Sequence, residues 1–467
     1  MSAIHHLSAA ELAAGYSRRA LSPVEVLDAL LARVEQTSRS LNAFCCVDTE
    51  AAMRQARASE ARWHRGQALG PLDGVPVSIK DNLGTAGMPT RFGSLAVGEA
   101  AAQLPDSPCV ERLREAGAVF IGKTTMPDFA HKILTDSPLT GITRNPWNPE
   151  YSPGGSSGGA AAAVAAGLGP IAVGTDGGGS IRIPAAFTGI YGFKPSFGRV
   201  PHYPRGAFAL LSHVGPMTRT VEDAAIVMNT ITRPDPRDWY ALPYRTTDYQ
   251  AGLRESLAGW KIAFSPSLGL DTPPCPETLD ALKHSARILE SLGAHIEMRD
   301  PPAVAQCQRI HRVLWSAFCA KLADSLGSEA SAQLDVSLRM LVEAGRALQP
   351  GEVLDALTQR GEAGCSVNGF FTEYDLVLCP VHPATAPLLA ACPASDPPYP
   401  LYTPWCNQLG LPAASVYAGH AANGLPIGVQ LVGRQHDDAA VLAASHAYER
   451  AVGRADGLLR DGAGTAA

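Results

Sequence analysis

Cysteine occurs in this chain, but never in a metal-binding arrangement. The ten residues, at 45, 46, 109, 275, 307, 319, 365, 379, 392 and 406, include no Cys-x-x-Cys pair. No histidine flanks them at ligand spacing, which argues against a structural zinc site. Charge is also sparse, at 18% of residues, and leans acidic: 38 Lys+Arg against 44 Asp+Glu leave a formal −6. Such a balance offers no basic face for nucleic acid. Long apolar runs are missing too, since the longest low-polarity stretch, 160–174, is mostly Ala and Gly and falls short of the ~20 residues of a membrane span. From Met1 to Arg19 there is no charged-then-apolar layout of an export signal. Scattered cysteines then read as small buried hydrophobes kept reduced, and the expectation is a soluble cytoplasmic protein with no metal, cofactor, nucleic-acid or membrane partner.

The positive content begins with helix starts. Ser8 with Glu11, and Ser22 with Pro23 and Glu25, both read as capping boxes. Val26, Leu27, Leu30, Leu31 and Val34 recur at helical spacing, and a third helix is expected over Glu50 to His64. From Gly74 onward the pattern changes to short apolar runs between glycines and prolines. Strands are expected at Val75 to Ile79, Val119 to Ile121 and Ile171 to Val173, with a helix at Val110 to Ala116. Further strand candidates are Lys261 to Phe264, His295 to Met298, Leu376 to Leu378 and Ile427 to Val432. Alternating strands and helices imply an α/β fold whose sheet draws on the whole chain, with helices and substrate contacts expected between Gln250 and Gly369 and a frayed tail after Gly457.

Three motifs carry chemistry. Gly177-Gly178-Gly179-Ser180 follows a strand, where unobstructed backbone N–H groups can converge on one point as an oxyanion nest. A plain glycine turn and a phosphate cradle are the alternatives, although no Gly-Lys-Ser/Thr follows. Ser156 and Ser157 lie between glycine pairs before an alanine-rich helix from about Gly159 to Ala166, a position that also suits an ordinary N-cap. Lys80 ends an apolar strand, so burial could leave it neutral and basic; a solvated lysine or an ion pair with Asp81 would look the same in sequence.

Read together, the motifs resemble the amidase signature family. The serine pair inside Gly154-Gly155-Ser156-Ser157-Gly158-Gly159 precedes Gly174-Thr175-Asp176-Gly177-Gly178-Gly179-Ser180, with 24 residues from Ser156 to Ser180. Asp73 to Asn82, Leu139 to Trp147, Val214 to Arg219 and Gly424 to Gln430 are similar to further family landmarks, covering about 8 to 452. The resemblance implies one α/β/α sandwich around a mixed sheet: a single domain over 1–467 with a signature core at about 70–220, a variable helical part at about 250–370 and a sheet-completing part at about 371–455. It implies Ser180 as nucleophile, Ser156 as a relay held by a cis peptide, and Lys80 as the neutral base. Gly177, Gly178 and Gly179, with Ser180, would donate to the oxyanion, while Ser157, Asp176 and Arg182 would brace the loops.

The expected activity is hydrolysis of carboxamide C–N bonds through an acyl-enzyme, extending to carbamates and esters, in a monomer or homo-oligomer. Departures from the family pattern fall where substrates are expected to bind, at Tyr417 and at Met126-Pro127-Asp128-Phe129. Tyr402, Trp405 and Trp315 are candidates for an aromatic pocket, with core packing as the alternative. Three rivals remain: an α/β-hydrolase elbow at Gly154-x-Ser156-x-Gly158 served by His382, His420 or His436, the amidase component of a transfer-RNA amidotransferase, and a non-catalytic binding protein. The elbow is disfavoured because Asn145-Pro146-Trp147-Asn148-Pro149 cannot form the strand that should precede it.

Overall fold

Every strand expected from the apolar runs is present, and all of them join one sheet. A computed structural model describes residues 4–455 except Ala207, Tyr244, Ala394 and Asp396, so the tail after Gly457 lies outside the described residues. In chain order the strands are β1 (Phe44–Val47), β2 (Pro76–Lys80), β3 (Val119–Thr124), β4 (Asp136–Ser137), β5 (Gly141–Ile142), β6 (Ile171–Asp176) and β7 (Tyr191–Lys194). They continue with β8 (His213–Thr218), β9 (Lys261–Phe264), β10 (His295–Met298), β11 (Leu376–Pro380), β12 (Ala413–His420) and β13 (Pro426–Gly433). β4 and β5 pair as a small ribbon; the other 11 form a sheet in the order β1-β3-β2-β6-β8-β7-β12-β13-β11-β9-β10.

The sheet is mixed, as expected. β2 runs parallel to β3 and β6, and β9 parallel to β10 and β11. The middle, from β6 through β8, β7, β12 and β13 to β11, is antiparallel. Alternation along single strands shows that both faces are covered. In β6, Ile171 and Val173 enter one large core, whereas Ala172 packs with Ala160, Ala161 and Val164 of the helix Gly158–Ala165. In β11, Leu376 and Leu378 take the first face, and Val377 and Cys379 the second. Full burial of such aliphatic side chains contributes about 1.5–3 kcal/mol each.

β1, β7, β8 and β12 carry no strand signal of their own. They are short or rich in Gly, Ala, Pro and His, and their strand state comes from neighbours rather than composition. Pro216 sits inside β8 opposite Val173, beyond the two residues of β8 that pair with β7. Among the helix starts, Ser8 and Glu11 form the expected box at the helix Ala9–Ser17. Ser22 departs from expectation: it accepts from Val24 N–H at 3.0 Å, and its hydroxyl donates to Glu60 on the helix Thr49–His64. Glu25 stays exposed, and the capping box does not form.

Candidate active site

The parallel strands β2 and β6 place the lysine. Ile79 faces the large core, so its neighbour Lys80 turns to the opposite face, where the helix Gly158–Ala165 begins. There the Lys80 side chain is completely buried. Its Nζ lies 2.7 Å from Ser156 Oγ, 2.8 Å from Ser157 Oγ, 3.0 Å from Thr175 Oγ1 and 3.3 Å from the Thr175 carbonyl. Burial pushes the ammonium well below its ordinary pKa, and the distant Asp176 charge only partly opposes this.

Hydrogen accounting distinguishes the two serines. The Ser157 hydroxyl donates to the Thr175 carbonyl at 3.1 Å, so towards Lys80 it is an acceptor. A neutral Lys80 has two N–H groups, which Ser157 Oγ and Thr175 satisfy, and one lone pair, which is left for the Ser156 hydroxyl. The peptide bond Gly155–Ser156 is cis. Ser157 N–H donates to the Ser180 carbonyl at 3.1 Å, tying the serine loop to the glycine turn.

Asp176 organises that turn. Its carboxylate accepts from Gly179 N–H at 2.7 Å and Ile181 N–H at 3.1 Å, and Arg182 grips it through Nε and Nη2, each at 2.9 Å. The remaining Arg182 donors reach Thr403 O, Gln430 Oε1 and Asn407 Oδ1 at 3.1, 2.6 and 2.7 Å, so every N–H of this buried guanidinium is matched. Burial alone would raise the Asp176 carboxyl, but the Arg182 charge and hydrogen bonds hold it far below the usual range. One expectation is thereby revised. Gly179 N–H is committed to Asp176, which leaves Gly177, Gly178 and Ser180 as the remaining candidate oxyanion donors of the turn.

Ser156, Ser180, Gly177, Thr175 and Asn82 line one cavity of about 480 Å³. A second, of about 360 Å³, also reaches Ser180 and is lined by Gly178 and His311. Trp315 borders both. Its sequence companions do not: Tyr402 and Trp405 are buried in a separate hydrophobic cluster, as is Cys406. Phe129 lines the first cavity, as expected of its segment, whereas Tyr417 lines a different small cavity beside Tyr448 and Glu449. The elbow reading fails. Among the described residues β5 ends at Ile142 and no strand leads directly into Ser156, while His382 and His420 pack edge-on against Phe187 and Trp147.

Sequence reasoning missed Thr175 as a Lys80 partner, Asn82 as its neighbour, and Asn407 and Gln430 as braces. Asn82 and Thr175 stand inside the lysine and glycine motifs, so proximity to Lys80 and Asp176 was available as a signal. Asn407 and Gln430 carried none, because only the fold brings them to Arg182. The helical region between 250 and 370, expected to touch substrate, supplies His311, Trp315 and Leu322 from the helix Val304–Leu326.

The Amidase family model matches residues 25–442. An acylamidase from Rhodococcus erythropolis is 35% identical over 457 residues, covering 96% of this chain and 95% of the relative. One of the subunits of the glutamyl-tRNA(Gln) amidotransferase from Carboxydothermus hydrogenoformans is 35% identical over 484 residues, covering 96% and 97%. Among solved structures, a bacterial aryl acylamidase belonging to the amidase signature enzymes matches with a TM-score of 0.88 at 32% identity, over 96% of this chain and 97% of that one. The chain belongs to the amidase signature family. It is an enzyme of amide C–N hydrolysis.

Proposed function

We propose that the chain hydrolyses small-molecule carboxamides by acyl transfer to Ser180, with Ser156 and Lys80 moving the proton. Neutral Lys80 takes the Ser156 proton as Ser156 takes that of Ser180, and Ser180 Oγ adds to the carbonyl carbon. The N–H groups of Gly177, Gly178 and Ser180 receive the oxyanion. Lys80 then returns its proton through Ser156 to the amide nitrogen, the C–N bond breaks and the amine departs neutral. Water adds to the ester, giving a proton to the same relay. Collapse releases the carboxylic acid, and the relay restores the hydrogen of Ser180. Carbamates and esters present the same carbonyl and fall within this reading.

The supporting observation is the donor accounting at Lys80, which leaves Ser156, of the two serines at 2.7 and 2.8 Å, as the one whose hydroxyl hydrogen is not committed to the Thr175 carbonyl. Asp176, Arg182 and Ser157 act as positioning residues. The reading treats the chain as one catalytic domain, since β1 to β13 share a sheet from end to end apart from the small ribbon. It places the enzyme in the cytoplasm, where ten free thiols are at home, working as a monomer or homo-oligomer without metal or cofactor.

The reading as a component of an amidotransferase stands second, because those relatives reach the same 35% identity. Against it, Arg205, which could grip a substrate carboxylate in the first cavity, is already held by Asp238 at 2.9 and 2.8 Å. The test is purified chain with an anilide and with glutamine, monitored for amine and for ammonia, beside Ser180→Ala and Lys80→Ala. Anilide hydrolysis by the lone chain, abolished in both variants, supports the proposal; turnover surviving Ser180→Ala refutes it.

A further inference from the structure

The two cavities meet at Ser180 but are chemically unequal. Among the described residues Ser156 lines the first alone, and Gly178 the second alone. Between them stands a stack of rings: Phe208 lies on Trp315 at 4.1 Å between centroids, and His311 on its other side at 5.1 Å. Trp315 Nε1–H donates to the His131 carbonyl at 3.2 Å, which fixes the indole. This stack rests directly on the glycine turn. A Cβ at Gly177 would lie 3.0 Å from the Trp315 ring, and one at Gly178 2.9 Å from His311 Nε2.

Resting on the acyl-transfer reading above, we propose that Trp315 divides the substrate at its scissile bond. The amine half occupies the first cavity and the acyl half the second. The reason is proton delivery: the leaving nitrogen must receive its proton from Ser156, so it faces the cavity that Ser156 lines. Asn82, another residue lining this cavity, belongs to the proton-transfer side as well: its Nδ2 donates to Thr175 Oγ1 at 2.8 Å, which lies 3.0 Å from Lys80 Nζ. The walls specify the amine further. Phe92 and Phe129, stacked at 5.6 Å, line the first cavity together with Phe208 and Trp315, an apolar wall suited to a flat ring such as an arylamine. The second cavity, walled by His311, Leu341, Met340 and Tyr399, takes a smaller apolar acyl group.

The test uses two substrate series. One holds the acyl group as acetyl and enlarges the amine from ammonia through aniline to naphthylamine; the other holds ammonia and enlarges the acyl group from acetyl to phenylacetyl. Ser325→Phe narrows the first cavity from an exposed position, and Met340→Trp narrows the second from one that is 54% exposed. Ser325→Phe should lower kcat/KM for the largest amine by about tenfold or more while changing the acyl series little, and Met340→Trp should do the converse. Stopped-flow deacylation of the shared acetyl-enzyme should be unchanged in Ser325→Phe, since the amine has left by then. The reverse pattern, or equal loss in both series, overturns the assignment, while retention of activity in Ser180→Ala refutes the underlying acyl-transfer reading separately.

Discussion

Ser157 gives its hydroxyl hydrogen to the Thr175 carbonyl at 3.1 Å while its oxygen lies 2.8 Å from Lys80 Nζ. Two adjacent serines thus touch the same amine, yet only Ser156 is left to exchange a proton with it. Ser156→Ala should therefore cost about 10²–10⁴-fold in kcat, the range of a lost proton-transfer group. Ser157→Ala should cost less and shift the pH profile, because it removes an acceptor that positions Lys80. Steady-state kinetics of both variants on one anilide decide this, and equal losses would contradict the assignment.

If Lys80 is the base, as proposed, it sets the acid limb of activity: the reactive form is neutral, and burial has lowered its pKa well below the lysine norm. kcat/KM should therefore fall as pH drops through that lowered value and level off above it. Lys80→Arg should be inactive throughout, since a guanidinium remains charged at every accessible pH. An acid limb that persists unchanged in the residual activity of Lys80→Ala would assign the titration to another group.

The Asp176–Arg182 pair is a stability element with a defined pH signature. Arg182→Met strands a buried carboxylate, and the expected loss is about 3–5 kcal/mol in chemical denaturation. Because the folded Asp176 pKa is depressed, its favourable contribution is full above the unfolded carboxylate value and disappears as pH falls below it. The gap between wild type and Arg182→Met should accordingly shrink below about pH 4. A gap independent of pH would show that the arginine acts through packing alone.

Lys194 gives a slope of the same sign in a higher pH window. It is buried with hydrogen bonds to the Pro195 and Leu411 carbonyls, and burial, helped by the Arg182 charge, lowers its pKa to about 7. Between that value and the unfolded lysine value near 10.4, the unfolded chain holds the extra proton, so stability rises with pH. Lys194→Met should flatten this rise in urea titrations at pH 7.5 and 9.5.

Gly178 has a steric partner that can be removed. Gly178→Ala places a methyl 2.9 Å from His311 Nε2 and should lower both stability and kcat. Pairing it with His311→Ala should recover part of the stability, as a double-mutant cycle would show. Strictly additive losses would place the clash elsewhere.

How much of this was legible from residues alone depends on the range of the interaction. Strands such as β2, β3, β6 and β13 announced themselves because they are β-branched runs bounded by glycine and proline. β8, with Pro216 at its centre, and β12, rich in alanine, did not, because their strand state is imposed by pairing on both sides. The same division runs through the site. Asp176, Ser180 and Arg182 sit within one short turn and were read together, whereas Asn407 and Gln430 complete that network from more than 200 residues away. Tyr402, Trp405 and Trp315 looked equivalent as aromatic residues, and only packing separated two core rings from the one between the cavities.

Local chemistry was written in the chain: a lysine ending a buried strand, serines among glycines, and a carboxylate a short turn away from its arginine. These depend on residue type and near spacing, which a linear string preserves. The tertiary structure decided which serine hydroxyl is free for the amine, that Gly179 serves Asp176, and that Trp315 stands between two chambers. Each of those is settled by distances of about 3 Å between segments that the linear string leaves apart, and hydrogen bonds of that length exist only once the sheet has brought its strands side by side.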